Sequence, residues 1–409
     1  MEVCVKSTLF LLFAIIMTVS VFADTVPYEF TTPQFIQSFY DHYSLNYLNA
    51  VAAGRGHTGA GLEGNIENSL QNPAAFTTNN SQFYLEIFLK PPIREMNKDM
   101  EQNYESLVPF GILAYGYKPS EKLCLGISYS TPQSIEYNML SIMLQTGDYY
   151  FMYPSFNLHR ITLTGNYAWN DFRLGLNVMN DLYRFKDITT WGTNIFDRVD
   201  ETDYVLRFQP GVFYKTGRFS AGASYMPAAK HTFDSRYQKY DATLPTQVNT
   251  GIGYNVRATR IAADMDLVRC SEMSDEFKDR YTLKAGVETD YHKYTLRAGF
   301  MNVPEVWKGE YMLPTYIADP NLYIYDDVPQ FGIIKPCAQS MITGGFTWHS
   351  NYIDFTLSFI QDVQQNVNYT EVFGSMGVNI SKFNFKNLFP GDKKEETPPE
   401  DDTEIEYLD

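Results

Sequence analysis

Beyond residue 23 the chain alternates apolar and polar residues with period two in segment after segment, and it holds no unbroken apolar run of about 18 residues. Tyr281, Leu283, Ala285 and Val287 fall on one face of such a segment, with Thr282, Lys284, Gly286 and Glu288 on the other. Ile261, Ala263, Met265 and Leu267 alternate with Ala262, Asp264 and Asp266 in the same way, and Ile353, Phe355, Leu357 and Phe359 with Asp354, Thr356 and Ser358. One apolar and one polar face is the signature of a β-strand. The segments run over 81–90, 108–118, 122–131, 157–169, 171–185, 202–215, 218–233, 244–256, 259–269, 280–290, 293–303, 340–348, 352–362 and 370–383. That is fourteen, an even number, as single-chain bacterial barrels have. Their connections alternate between short turns, such as Thr216-Gly217, Arg257-Ala258 and Tyr291-His292, and long loops, such as 132–156 and 304–339. A soluble sandwich has no reason to sort its loops by length, whereas a barrel has short periplasmic turns and long outer loops. The expectation is an all-β fold: a 14-stranded antiparallel transmembrane β-barrel over 81–386, with apolar residues toward lipid.

Composition agrees. With 31 Tyr and 29 Phe, aromatics make up 16% of the chain, enough for girdles at both membrane interfaces. The formal charge of −16 excludes nucleic acid as a partner, since no basic face is left to neutralise phosphates. Residues 1–23 read as a signal peptide: Lys6 is the basic start, Leu9 to Val21 is apolar apart from Thr18 and Ser20, and Val21-Phe22-Ala23 offers a cleavage site. The compartment implied is the bacterial outer membrane. The partners implied are outer-membrane lipid and, during biogenesis, the barrel-assembly machinery. Three cysteines follow, Cys124, Cys270 and Cys337; the odd count leaves either three isolated thiols or a Cys270–Cys337 bridge.

Two regions lie outside the strand pattern. Residues 24–53 form an aromatic extension and 54–80 a glycine-rich segment with little alternation. Residues 387–409 hold nine carboxylates against two lysines, with Pro398-Pro399, and read as an acidic, solvated tail.

The glycine-rich segment carries Gly54, Gly56, Gly59 and Gly61, then, after a polar stretch, Asn72-Pro73-Ala74, and the first strand begins at Ser81. This order resembles the FadL family of outer-membrane long-chain fatty acid and hydrophobic compound transporters. Leu244-Pro245-Thr246-Gln247-Val248-Asn249-Thr250-Gly251, with Asp264-Met265-Asp266-Leu267 after it, is similar to a mid-barrel element of that family. The resemblance covers about 54 to 385. It implies that 54–80 folds into the lumen as a hatch and that a hydrophobic small molecule, such as a long-chain fatty acid, is the cargo. The alternative is a barrel of the same build acting as a structural or secretion component that binds proteins. The family further implies sideways release at a weakened strand. Gly126 and Pro132 are the candidates there, Gly126 being equally readable as a packing glycine.

No catalytic or cofactor motif is present. The six histidines, His42, His57, His159, His231, His292 and His349, lack metal-ligand spacing, and no nucleophile elbow or Cys-x-x-Cys occurs, so no enzyme, cofactor or metal is expected. A conduit fits better. Ile135, Met139, Ile142 and Met143 fall at helical spacing with Leu144 next to them, so a short amphipathic helix at the barrel mouth is expected, either as a capture surface or packed on other loops. By alternation Arg173, Arg207, Lys284 and Arg297 face the lumen, either to receive a carboxylate head group or in ion pairs with lumenal acids such as Asp264, Asp266 and Glu288.

Overall fold

The computed structural model describes residues 48–78, 81–90, 94–97, 102–105, 110–137, 140–143, 149–152, 155–191, 194–234, 239–273, 277–304, 306, 338–363 and 370–379. The fourteen strands read from alternation form one closed antiparallel sheet. They are β1 Ser81–Lys90, β2 Phe110–Ser120, β3 Leu123–Tyr137, β4 Ser155–Trp169, β5 Phe172–Trp191, β6 Asn194–Thr216 and β7 Phe219–Met226. They continue as β8 Gln247–Val256, β9 Thr259–Val268, β10 Arg280–Tyr291, β11 Tyr294–Val303, β12 Gln339–His349, β13 Ile353–Asp362 and β14 Thr370–Asn379. Each pairs with its sequence neighbour, and β1 pairs with both β2 and β14, which closes the barrel.

Burial runs opposite to that of a soluble protein. Leu163, Leu174, Leu206 and Leu283 are each more than half exposed, while Thr162, Asn177, Arg207, Glu288 and Thr295 are buried. Apolar side chains line the outside and polar ones the inside, which decides between sandwich and barrel: this is a membrane-spanning barrel of the bacterial outer-membrane type. Trp169, Phe172, Tyr291, Tyr294, Trp348 and Tyr352 lie exposed beside the short turns, where an aromatic girdle meets the interface. The turns themselves place Asn170, Arg257 and His292 at positive φ, as two-residue hairpins require.

The strands differ from the sequence reading mainly on the outer side. A membrane strand needs about 9–11 residues; β5 has 20 and β6 has 23, so this pair rises well past the bilayer, in register from Phe172↔Tyr214 to Thr189↔Asp197 and, after a one-residue shift, on to Trp191↔Asn194. The segment read as 218–233 breaks at Pro227. Beyond it Ala229–Asp234 pairs with Lys239–Leu244 as a separate two-stranded ribbon. This ribbon folds over the mouth, where Phe233 packs on Tyr183 and Phe185 beside Leu158, Leu244 and Val268.

The described residues of the expected mouth helix are strand instead. β3 continues to Tyr137, and Leu140–Met143 is extended and paired with Tyr149–Met152. The helical spacing of the apolar residues was coincidental. Ile135, Tyr137 and Ile142 favour strand, and partner strands satisfy the backbone. Met139 and Leu144, like the aromatic residues of 307–337, Cys337, most of the aromatic extension and the acidic tail, lie outside the described residues.

Candidate functional site

Residues 48–78 are folded inside the barrel. A four-residue helix, Ala50–Ala53, and a 3₁₀ turn, Ile66–Leu70, are joined by the glycine-rich stretch. The segment holds its own shape through side-chain amides. Asn68 Nδ2 donates to the carbonyls of Gly59 and Leu62 at 3.1 and 3.0 Å, and Asn72 Oδ1 accepts from Ala74 N–H at 3.0 Å, which closes a turn around Pro73. The plug therefore begins at least six residues before Gly54, where the sequence reading started it.

What seats this plug was not visible in the sequence. The wall carries glycines at several of the places where plug backbone touches it. A Cβ at Gly299 would lie 2.5 Å from Gly56 Cα, at Gly286 2.8 Å from the Arg55 carbonyl carbon, at Gly251 2.8 Å from Gly61 N, and at Gly175 2.7 Å from Ala74 Cα. These glycines sit on β5, β8, β10 and β11, so the plug touches wall backbone over much of the circumference. Gly56 and Gly61 are the plug's half of these contacts, Gly54 makes another with Gly345 of β12, and Gly56 also needs its φ of 69°. Gly59 instead faces Gln71 and Asn68 within the plug.

Polar contacts fix the plug's orientation. Asn72 Nδ2 donates to the Val212 carbonyl of β6 at 3.1 Å, and Asn166 Nδ2 of β4 donates to the carbonyls of Pro73 and Phe76 at 3.0 and 2.7 Å. Asp264 accepts from the backbone N–H of Gly59 and Ala60, and Glu86 from those of Asn49 and Ala50. Arg55 reaches Glu288 at 2.9 Å, a carboxylate that Arg297 and Arg260 also hold. Burial raises the Glu67 carboxyl of the plug to about 7, with the nearby Glu86 adding to the effect. Burial and then the Lys284 ammonium hold His57 well below the usual imidazole value, so its neutral ring accepts from Lys284 through Nδ1 and bonds Leu48 O through Nε2.

The plug divides the lumen. On the outer side lies a cavity of about 150 Å³, floored by Leu48, His57, Ala60, Leu70 and Gln71 and walled by Pro132, Met226, Val268, Arg160, Asp264 and Lys284 among others. On the side of the short turns lies a larger polar chamber of about 570 Å³, which Arg55, Glu67, Glu288, Arg297 and His349 help to line. Of the four basic residues singled out from sequence, Lys284 lines the outer cavity, ion-paired to Asp266, and Arg297 lines the lower chamber. Arg173 is ion-paired to Glu63 of the plug, and Arg207 to Asp181, which Arg160 also grips in a bidentate pair. Arg160 and Arg280 line the cavity without having been singled out, because their neighbours are brought together only by the barrel's closure.

The two candidates for an opening separate. Gly126 is paired on both sides, to Gly116 and Thr164, and a Cβ there would overlap Ile66 of the plug. It is a packing glycine, and the strand is intact around it. Pairing is interrupted further out: among the described residues β2 pairs with β3 as far as Ser130, Gln102–Glu105 pairs with it again at Glu136 and Tyr137, and β4 skips from Ser130 to Gln133. Pro132 has no N–H to offer a neighbour, and the Thr131 hydroxyl turns to the Phe110 carbonyl. The bulge borders the outer cavity, which both Ser130 and Pro132 line. Of the histidines, His159 is hydrogen-bonded to the Tyr129 hydroxyl at 2.8 Å and His231 to Asp203 at 3.2 Å.

The sequence matches no protein-family model and no curated protein. Solved structures do match. A FadL homologue of Pseudomonas aeruginosa aligns with a TM-score of 0.56 at 9% identity, over 81% of this chain and 97% of that one. The toluene transporter TbuX of Ralstonia pickettii aligns at 0.54 and 14% identity, over 80% and 97%. The toluene transporter TodX of Pseudomonas putida aligns at 0.54 and 14%, over 80% and 96%. At such identities the likeness is one of backbone: the chain has the FadL-like fold, fourteen strands closed around an N-terminal plug.

Proposed function

We propose that this barrel carries hydrophobic small molecules, long-chain fatty acids or compounds of similar polarity, across the outer membrane. The supporting observation is the position of the outer cavity, which is floored by a plug seated backbone against backbone and bordered by the interrupted pairing of β3. A solute entering from outside meets a firm floor and, beside it, a weak place in the wall. The outer strands and loops that hold Ile135, Met139, Ile142, Met143 and Leu144 capture the molecule by burying its apolar surface, at roughly 25 cal/mol per Å². The cavity receives it, with Lys284 in its wall for an anionic head group, and release runs sideways past Thr131 and Pro132 into the membrane. Arg173, Arg207 and Arg297 hold ion pairs and shape the lumen; they take no part in capture. The FadL-like fold supports the reading, since solved barrels of that fold include toluene transporters.

Uptake of labelled oleate and toluene by cells expressing the protein tests it. Expression raises uptake of at least one solute, and Met143→Glu and Pro132→Val each lower it severalfold. If the parent takes up neither, the transport reading fails and a protein-binding scaffold replaces it.

A further inference from the structure

Asp264 sits where a ligand's head group would. Its Oδ2 accepts two plug hydrogen bonds, from Gly59 N–H at 2.6 Å and Ala60 N–H at 2.8 Å, while its Oδ1 has no hydrogen-bond partner among the described residues although the residue is only 6% exposed. Successive backbone N–H groups aimed at one point make an anion-binding concavity, and here a wall carboxylate fills it. Asp264 and Ala60 both line the outer cavity. Lys284, the in-register neighbour of Asp264 on β10, lines it too, bonded to Asp266 and to His57 Nδ1. Leu48, Leu70, Met226 and Val268 supply apolar wall. Two converging N–H donors, an ammonium and apolar walls together complement a carboxylate on a hydrophobic chain.

We infer that the Gly59–Ala60 N–H pair is the head-group site for a carboxylate-bearing amphiphile, and that Asp264 occupies it as a built-in competitor until such a ligand arrives. The occupant is poorly satisfied, because one of its oxygens is buried without a donor, and that makes it displaceable. On exchange the ligand carboxylate accepts both N–H groups, and Asp264 turns toward Lys284 on the adjoining strand. The plug need not move, so the glycine contacts around it survive. This inference rests on the outer cavity being the substrate's path, and it adds the head-group chemistry and its competitor.

The test uses the full chain in lipid nanodiscs, with calorimetric binding of decanoate and of decanol to the parent, Asp264→Ala and Asp264→Asn. Emptying the N–H pair in Asp264→Ala tightens decanoate by about tenfold, the scale of hydrogen bonds to a charged group, and leaves decanol within about twofold. Asp264→Asn gives a smaller gain, because a neutral amide oxygen holds the donors less firmly. No gain for decanoate, an equal gain for decanol, or no decanoate binding by any form overturns the inference. If Asp264→Ala does not fold, as judged by heat-modifiable mobility, the decanoate-to-decanol ratio of Asp264→Asn decides, and an unchanged ratio refutes it. Cellular uptake reports separately: a decanoate gain without uptake leaves the site standing and removes transport, whereas uptake without the gain removes only the site.

Discussion

The glycine seat of the plug makes a quantitative prediction. Gly286 and Gly299 face each other across β10 and β11, and both receive the Arg55-Gly56 corner. An alanine at 299 would put its Cβ 2.5 Å from Gly56 Cα, and closer still to Gly56 N and the Arg55 carbonyl carbon, where ordinary contact starts at 3.4 Å, so one side must give by at least about 0.9 Å. The wall is tied by strand pairing on both sides, so the plug gives. Gly56 N–H donates to Thr343 Oγ1 at 2.8 Å; a shift of that size along the bond stretches it to about 3.7 Å, out of hydrogen-bond range. Overfilling a packed site costs roughly 1–3 kcal/mol, which raises the unseated fraction of the plug by about 5- to 150-fold. Time-averaged conductance in planar bilayers reads that fraction, because an unplugged fourteen-stranded barrel passes ions. Gly165→Ala is the control, since its new Cβ meets only Leu125 Cδ2 at an ordinary 3.6 Å. Gly299→Ala, and more strongly Gly286→Ala with Gly299→Ala, conduct in proportion. If folded Gly299→Ala barrels are as silent as Gly165→Ala barrels, the plug is not seated by backbone contact and the reasoning is wrong.

Three further outcomes are expected. The Glu67 carboxyl is raised by burial from 4.5 to about 7, so its contribution to plug seating is full below about 4.5 and is lost as pH rises through about 7; parent conductance climbs between pH 5 and 8, and Glu67→Gln flattens the profile. Leu163 faces lipid at 54% exposure, and Leu163→Arg destabilises the folded barrel by about 2–4 kcal/mol in urea unfolding from bilayers, whereas a soluble-type surface would tolerate it. In a background without native thiols, a membrane-impermeant maleimide labels Asp200→Cys on intact cells but reaches Glu121→Cys, beside a short turn, only after the outer membrane is opened; the reverse pattern inverts the topology.

The sequence by itself determined the barrel. Side-chain direction on a strand alternates strictly, so a run such as Tyr281 to Glu288 states which face meets lipid without knowledge of any neighbour. Fourteen such runs joined by alternately short and long connections leave little freedom in topology, and each of the fourteen contributes one barrel strand in the expected order, though the run 218–233 breaks at Pro227 and β5 and β6 extend past their runs. The same local logic misled at 135–143, where apolar residues at helical spacing belong to paired strands. Spacing over nine residues cannot tell a helix from a strand when a partner strand is available elsewhere in the chain.

Only the tertiary structure decided what lies inside. Gly299 is 243 positions from Gly56, Asp264 is 205 from Gly59, and Arg55 is 233 from Glu288. No periodicity links such residues. A glycine in a strand is readable locally as a weak point or as a packing residue, and Gly126 is open to both; closure of the barrel around the plug decides for packing, against Ile66. The lumenal arginines and lysine likewise have fixed identities in the sequence but acquire their partners only when strands β4 to β12 curl together, because an ion pair is set by distance in space and alternation fixes only the face.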